Sequence, residues 1–304
     1  MTEYFTWSAA LALFGFFCHT SASSQPRGKI VIQFSSYTNS TILIKSRSND
    51  SAEVRVLNST GHSIDHLGAE DFVVRKDDDT GTIISCTPIT NSSTDDIAIT
   101  FVLDNSGSMF HSYDSLTRYL DAFVDSLPNG FVADAMTFDN RERKRTFDAT
   151  SREELFIASS EFSGSRTALK AFWHSYDSIR TDLTPLYDCI IKGLERIIDR
   201  RRNGDSLKTE VMIVVTDGSD NASSIRIEKL QEFVRILPLR LFSVNFRSDP
   251  DGRLLWLAKK SKGDHFIAND LDSLREILEY LRRDISRAYQ LKYYFPNRGA
   301  NPGR

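Results

Sequence analysis

The sequence predicts an α/β fold: a doubly wound, mainly parallel sheet with helices on both faces, preceded by a small β-sandwich-like domain. Three observations carry that prediction. Ile97–Leu103 is an apolar run broken only by Thr100, and Val211–Val215 is a second apolar run. Runs of this length, rich in β-branched residues, suit strands buried on both faces at the centre of a parallel sheet. From Ile97 onward, strand-like and helix-like segments alternate, which is the pattern of strand–helix–strand units. Before Ile97 the texture is short apolar clusters separated by turn residues, which reads as antiparallel strands.

The chain has 304 residues, enough for one or two domains with a sizeable core. Its apolar content of 40% and charged content of 26% are those of a soluble globular protein. A net charge of -3 gives no global electrostatic case for nucleic acid or an acidic membrane as partner. Three cysteines do not make a disulfide scaffold.

Residues 1–22 read as a signal peptide. Trp7–Phe17 is an apolar block of signal length, too short to span a bilayer comfortably, and Thr20-Ser21-Ala22 offers small residues for cleavage. Glu3, with no Lys or Arg beside it, departs from the usual n-region, so a short anchor or a core helix stays open. Bulky Phe17 before Cys18 argues against a lipoprotein. The expected location is secreted or periplasmic, with no transmembrane segment after the signal. Asn39, Asn49, Asn58, Asn91 and Asn221 fit the N-x-S/T pattern and would carry glycans only in a eukaryotic secretory route. Cys86 and Cys189 fall in different predicted domains and read as two buried free thiols.

Residues 23–95 form the small β-rich domain and its linker. Ile30–Ile32, Ile42–Ile44, Val54–Val56, Phe72–Val74 and Ile83-Ile84 are its strand cores, and Asn91–Asp96 is the polar linker. Asp77–Gly81 reads as a hairpin turn: Gly81 falls at the fifth position and no Glu follows at the twelfth, so the EF-hand pattern fails. Residues 96–286 form the α/β domain. Leu116, Leu120, Phe123, Val124 and Leu127 give a helical stripe. Val132–Phe138 follows as a strand, with Arg145–Phe147 as a candidate partner. Glu153–Phe162 and Ala168–Ile179 read as helical, as does the stripe Leu186, Ile190, Leu194, Ile197. After strand Val211–Val215 come helix Ile227–Ile236, strand Leu239–Val244, helix Leu254–Lys259 and strand His265–Ala268. Leu274, Ile277, Leu278, Leu281 and Ile285 mark the last helix. Residues 287–304 are a C-terminal strand, Tyr289–Phe295, and a tail.

The chemistry sits at strand ends. Asp104, Ser106 and Ser108 follow the first buried strand, and Asp217 follows the second. Between them Thr184 precedes Pro185, a residue suited to a first helical position with Thr184 as N-cap. The alternating pattern puts all three points on one rim of the sheet, where open α/β folds bind ligands. Hydroxyl and carboxylate oxygens are hard ligands, suited to Mg²⁺, Mn²⁺ or Ca²⁺ and poor for zinc. An octahedral Mg²⁺ takes about six oxygens. These side chains fill most positions and leave one for an incoming oxygen. Three neutral hydroxyls and two carboxylates do not over-neutralise the ion, which stays electrophilic toward an exogenous carboxylate. Asp220, Asn221 and His111 read as surface residues, and Arg200-Arg201-Arg202 as a helix C-terminus complementing the dipole.

Asp104-x-Ser106-x-Ser108, Thr184 and Val214-Val-Thr-Asp217-Gly resemble the metal-ion-dependent adhesion site of von Willebrand factor A (vWA) domains. The resemblance covers about Ile97 to Ile285 and holds all five motif positions in order. It implies a Rossmann-like fold. It implies Ser106, Ser108 and Thr184 as hydroxyl ligands of a divalent cation, Mg²⁺ first, with Asp104 and Asp217 bound directly or through water. It also implies a partner protein that offers an Asp or Glu carboxylate to the metal. Val54–Val74 and Arg287–Tyr294 are more loosely similar to the β-domain before this module, and the strand after it, in secreted bacterial proteins. Asp182-Leu183 stands where many relatives carry glycines.

Enzyme motifs are absent from the sequence: no G-x-S-x-G, H-E-x-x-H, P-loop or G-x-G-x-x-G, and six scattered His without metal spacing. The expectation is therefore a cation-dependent adhesion or interaction module, not an enzyme, with no catalytic residue. An accessory subunit that assembles or regulates an envelope complex, channel or enzyme is the alternative. Metal-assisted hydrolysis ranks below both, because no general base accompanies the two carboxylates.

Overall fold

The computed structural model describes residues 30–34, 40–59, 62–89, 97–109, 111–139, 156–176, 184–203, 209–218, 220–237, 239–246 and 251–296. The signal-like segment, the polar linker Asn91–Asp96, Arg145–Phe147 and Asp182-Leu183 lie outside these residues.

The first five strands are β1 (Ile30–Phe34), β2 (Thr41–Arg47), β3 (Ser51–Leu57), β4 (Phe72–Lys76) and β5 (Asp79–Ile89). The α/β region follows as β6 (Ile97–Leu103), α1 (Tyr113–Ser126), β7 (Val132–Asp139), β8 (Phe156–Ser159), α2 (Arg166–His174), α3 (Leu186–Arg202), β9 (Thr209–Thr216), α4 (Ile227–Ile236), β10 (Leu239–Phe246), α5 (Gly252–Lys260), β11 (His265–Ala268) and α6 (Leu271–Ser286). The strand β12 (Ala288–Tyr294) ends the described chain.

The strands form two six-stranded sheets. One has the order β11-β10-β9-β6-β7-β8 and the other β1-β4-β5-β12-β3-β2. In the first, β6 pairs in parallel with β7 and β9, and β9 with β10. Every residue of β6 and of β10 is buried, as the unbroken apolar runs require. The pleat sends alternate side chains to opposite faces. Ile97, Ile99, Phe101 and Leu103 join α1, α2 and α6 in one core, while Val102, with Val214 and Met212 of β9, packs against α3, α4 and α5 in the other. Helix α3 lies close to the sheet at Gly193, where a Cβ would meet Met212, Met136 and Thr100 within 3.3 Å.

One helix reading is corrected. Phe156–Ser159, inside the expected helix Glu153–Phe162, is an edge strand antiparallel to β7, with Met136 opposite Ser159 and Asp139 opposite Phe156. A short apolar run carries no period that separates strand from helix, and the open edge of β7 supplies the partner. The helix that follows starts only at Arg166, capped by the Ser165 hydroxyl accepting from the Ala168 N–H at 3.1 Å.

The second sheet is antiparallel and curls around its own core of Ile30, Ile32, Val54, Val56, Leu67, Phe72, Val74, Tyr289, Leu291 and Tyr293. Strand β5 spans its two halves: Thr80 and Gly81 pair with β4, and Thr82–Ile89 with β12. The C-terminal strand thus lies between β5 and β3, inside the sheet built by the N-terminal strands. Its aromatic residues suit that place. Tyr289 donates its hydroxyl to the Ile64 carbonyl at 2.8 Å and Tyr293 to the Ser48 carbonyl at 2.8 Å, so each buried ring has its polar end satisfied. Asp77-Asp78 forms the β4–β5 hairpin turn, with Lys76 opposite Asp79. Cys86 and Cys189 are both free thiols, the second fully buried and the first only partly.

The connection from α5 to β11 depends on a glycine. Lys262 has φ 60°, and the Gly263 N–H then closes onto the Ala258 carbonyl at 2.9 Å. A Cβ on Gly263 would lie 1.9 Å from the Leu241 carbonyl oxygen of β10. Backbone cannot yield as a flexible side chain does. Gly263→Ala is therefore expected to lower unfolding free energy by about 2–3 kcal/mol, read as a lower urea midpoint at unchanged m-value.

Candidate metal centre

Strand β6 hands its chain outward through α1 to β7, and β9 hands its chain outward through α4 to β10, on the other side of the sheet. The carboxyl ends of adjacent β6 and β9 therefore flank the point where the winding direction reverses. A crevice opens there in doubly wound sheets. The Asp104 N–H still pairs with the Val215 carbonyl at 2.9 Å, which brings the two strand ends into register. Asp104–Ser108 and Asp217-Gly218 leave the sheet side by side.

The side chains converge as a hydrogen-bonded set. Asp104 is fully buried. Its Oδ1 accepts from the Ser106 N–H at 2.8 Å, and its Oδ2 from the Thr216 hydroxyl at 2.5 Å. The Ser106 and Ser108 hydroxyls share a hydrogen bond at 2.9 Å, and the Ser108 hydroxyl donates to Asp217 Oδ1 at 2.7 Å. Four of the five expected ligand residues are thus linked directly, running from buried Asp104 to exposed Ser108 and half-buried Asp217.

Thr184 is held by a different set of bonds, to Asn221. The expected cap is corrected: α3 begins at Leu186 with Pro185 at the N-cap, and the cap residue makes no side-chain bond. Thr184 lies before the helix, so its hydroxyl is not committed to capping. The first amides of α3 are instead capped from the loop after β9. Asp220 accepts from the Tyr187 N–H at 3.1 Å and Ser223 from the Asp188 N–H at 2.9 Å. Asn221 Oδ1 accepts from the Thr184 N–H at 2.7 Å.

Electrostatics at the site are lopsided. Burial pushes the Asp104 carboxyl above the usual carboxylate range, against the hydrogen bonds from Thr216 and Ser106. Burial also raises Asp217, and the nearby Asp104 charge adds to the shift. Among the described residues neither carboxylate has an ion pair. Two carboxylates held together without a cation are the feature that a bound divalent ion would relieve. The donor set fits a hard cation: two carboxylates and serine and threonine hydroxyls, with no thiolate or imidazole. No group of three or more His, Cys, Asp or Glu gathers among the described residues, because this constellation holds only two carboxylates and draws its other oxygens from hydroxyls.

Sequence reasoning missed three residues here. Thr216 precedes Asp217 and holds Asp104 Oδ2. Asp220 and Asn221, read as surface turn residues, face the Thr184–Asp188 segment. Their signal was distance along the chain: Asp220 and Asn221 lie three and four residues past Asp217, close enough for the same loop to reach a second element.

The sheet order, the helices on both faces and the loops at the switch point define a doubly wound α/β domain joined to a curled antiparallel sheet. Among solved structures, the chain is similar to proximal thread matrix protein 1 from the mussel byssus, determined with a zinc-occupied metal-ion-dependent adhesion motif. That match has 16% identity, covers 69% of this chain and 50% of that one, and has a TM-score of 0.48. It is also similar to the vWA protein from Catenulispora acidiphila (13% identity, 88% of this chain and 52% of that one, TM-score 0.45). A third is the pilus adhesin SpaC from Lactobacillus rhamnosus GG (13% identity, 81% and 34%, TM-score 0.47). The chain spans half the length of the mussel protein. No protein-family model and no curated protein sequence matches it.

Proposed function

We propose that the protein is a divalent-cation-dependent protein-binding module. The observation that carries this reading is the linking of Asp104 and Asp217 through Ser106 and Ser108 at the switch point of the sheet. Asp104, Ser106, Ser108, Thr184 and Asp217 hold the ion, with Mg²⁺ the first choice and Mn²⁺ or Ca²⁺ sharing its oxygen chemistry. When bound, the ion supplies a Lewis-acidic centre open to a carboxylate from a partner's Asp or Glu. The protein's own groups position that centre: Asp104 anchors the turn, and Ser108 and Asp217 form its exposed lip. The sequence carries none of the common hydrolase motifs, and the reading is a binding protein rather than an enzyme.

The signal-like segment Trp7–Phe17 supports an extracytoplasmic location. No helix among the described residues is long and apolar enough to cross a membrane.

The test is capture of partners from the source organism's envelope or extracellular fraction, with Mg²⁺ or with EDTA. The wild-type chain is expected to retain an interacting protein only with the cation. Asp104→Ala is expected to lose it while keeping its far-UV and near-UV circular dichroism. Retention by Asp104→Ala in EDTA would sink the proposal. Turnover of phosphoesters or peptides by the purified protein with Mg²⁺ or Mn²⁺ would replace it with the hydrolase reading.

A further inference from the structure

We propose that Asn221 is a positioning residue for the metal site, fixing Thr184 against the loop that carries Asp217. The inference rests on the metal-site reading above and names a residue outside the five-position motif. Thr184 and Asp217 come from different loops, and a cation can use both only if the two loops hold a fixed separation. Asn221 supplies that constraint with two bonds to one residue. Its side-chain Oδ1 accepts from the Thr184 N–H at 2.7 Å, and its own N–H donates to the Thr184 carbonyl at 3.2 Å. Together they close a small ring around the backbone of Thr184, much as a strand pair would, though neither residue is in a strand.

The surrounding bonds show why Asn221 can be tested separately from the helix. Asp220 and Ser223 take the Tyr187 and Asp188 amides of α3. In return the Asp188 carboxylate accepts from the Ser224 N–H at 2.9 Å and the Ile225 N–H at 3.0 Å. Those bonds hold the start of α3 to residues 220–225, whereas the Asn221 pair falls on Thr184, ahead of the helix. Removing the Asn221 side chain takes away the acceptor for the Thr184 N–H, so Thr184 is held by the single backbone bond to its carbonyl, and leaves the capping of α3 in place. The residue type also fits. Asp104, Asp217, Asp220 and Asp188 already crowd this rim with acid, and an amide gives the acceptor oxygen without a further negative charge.

Groups that orient a metal ligand typically change metal affinity about 10- to 100-fold when removed. The experiment is calorimetric titration of Mn²⁺ into the full chain, made in a bacterial host so that the Asn221-Ala222-Ser223 sequon carries no glycan. Asn221→Ala is expected to weaken Mn²⁺ binding about tenfold or more, with the melting temperature in EDTA unchanged. Asn221→Asp, which keeps the acceptor, is expected to restore the wild-type dissociation constant or improve on it. Asn221→Gln carries the same amide one methylene further out; it keeps the surface polarity, loses the register, and should weaken binding as alanine does. An unchanged constant in both Asn221→Ala and Asn221→Gln overturns the positioning role while the metal site stands. Lower melting in EDTA with unchanged Mn²⁺ affinity overturns it too, marking a purely structural bond. A wild-type chain that does not bind Mn²⁺ overturns the metal-site reading itself, and this inference with it.

Discussion

Asp284→Ala is expected to cost about 3–5 kcal/mol of stability, the range for breaking a buried ion pair by removing one partner. Asp284 is buried at the end of α6, where the α/β domain meets the loop between β3 and β4. Its Oδ1 accepts from the Ser63 N–H at 2.8 Å, and its Oδ2 pairs with the buried guanidinium of Arg240 at the start of β10. The His62 Nδ1 stands 3.8 Å from the same oxygen, and the Ser63 hydroxyl donates to the Asp284 carbonyl at 2.6 Å. Alanine leaves Arg240 charged in the interior, beside the Phe242 ring at 4.9 Å. The pair itself need not be strongly stabilising for its rupture to be costly. A double mutant in which Arg240 is also replaced is expected to recover part of the loss, because the orphaned charge goes with it.

The same carboxylate sets a pH dependence. Burial pushes Asp284 up, but the bonds from His62, Ser63 and Arg240 outweigh burial and leave it below the usual carboxylate range. A lowered folded value means that the stabilisation is fully present above the unfolded value of about 3.9 and is lost as pH falls through the folded one. Wild-type unfolding free energy should therefore drop on the acid side of about pH 4. Asp284→Asn, which has no proton to take up, should show a shallower acid limb. Equal limbs in the two proteins would remove Asp284 as the cause.

This junction was not legible in the sequence, and the reason is physical. Ser63 and Asp284 are 221 residues apart, and neither lies in an apolar pattern that announces a partner. Local periodicity reads faces of single elements, so it found β6, β9, α4 and β11 and the rim that carries Asp104 and Asp217. It could not assign β12 to the sheet of the first five strands, since pairing register between distant segments leaves no local mark. Arg200 makes the same point. As part of Arg200-Arg201-Arg202 it read as a cation at a helix end. In the fold it is buried, paired with Glu210 at 2.9 Å and Asp134 at 3.3 Å, and stacked 4.2 Å over the Phe162 ring. Arg196 reaches the same Asp134 at 2.7 Å, and Thr100, the one polar residue of the β6 run, donates its hydroxyl to it at 2.7 Å. The break in the apolar run was visible, but the charged cluster that uses it was not. At the ends of β6 and β9 the cluster of Asp104, Ser106, Ser108 and Asp217 was legible because its residue types and order are specific. Asn221 and Asp220 were not, because their role lies in a hydrogen bond to another loop rather than in residue type.

Asp104→Asn is expected to raise the stability of the cation-free protein while abolishing its response to metal. Burial raises the Asp104 carboxyl, so its ionised form is harder to hold in the folded chain than in the unfolded one. Asparagine removes that charge and keeps the shape. Its Oδ1 can accept from the Ser106 N–H as Asp104 does now. Its amide can donate to the Thr216 hydroxyl, which then donates to the Gly218 carbonyl already 3.1 Å away. A gain of about 1–2 kcal/mol is the usual size of such a change at a site held away from its stability optimum by function. In a protein of this size that is a rise of roughly 2–5 °C in melting temperature in EDTA. For the wild type, Mg²⁺ at a hundredfold excess over its dissociation constant should add about 2.7 kcal/mol, reversing the order of the two proteins. Asparagine gives the ion one negative charge fewer and a weaker oxygen donor, so the variant's melting curve should be the same with Mg²⁺ and with EDTA. The crossing of the two proteins between EDTA and Mg²⁺ is the diagnostic result, since a mutation that only damaged folding would lower both curves. If Asp104→Asn melts below wild type in EDTA, then the hydrogen bonds to Thr216 and Ser106 outweigh the buried charge, and the carboxylate is part of the frame as well as the site.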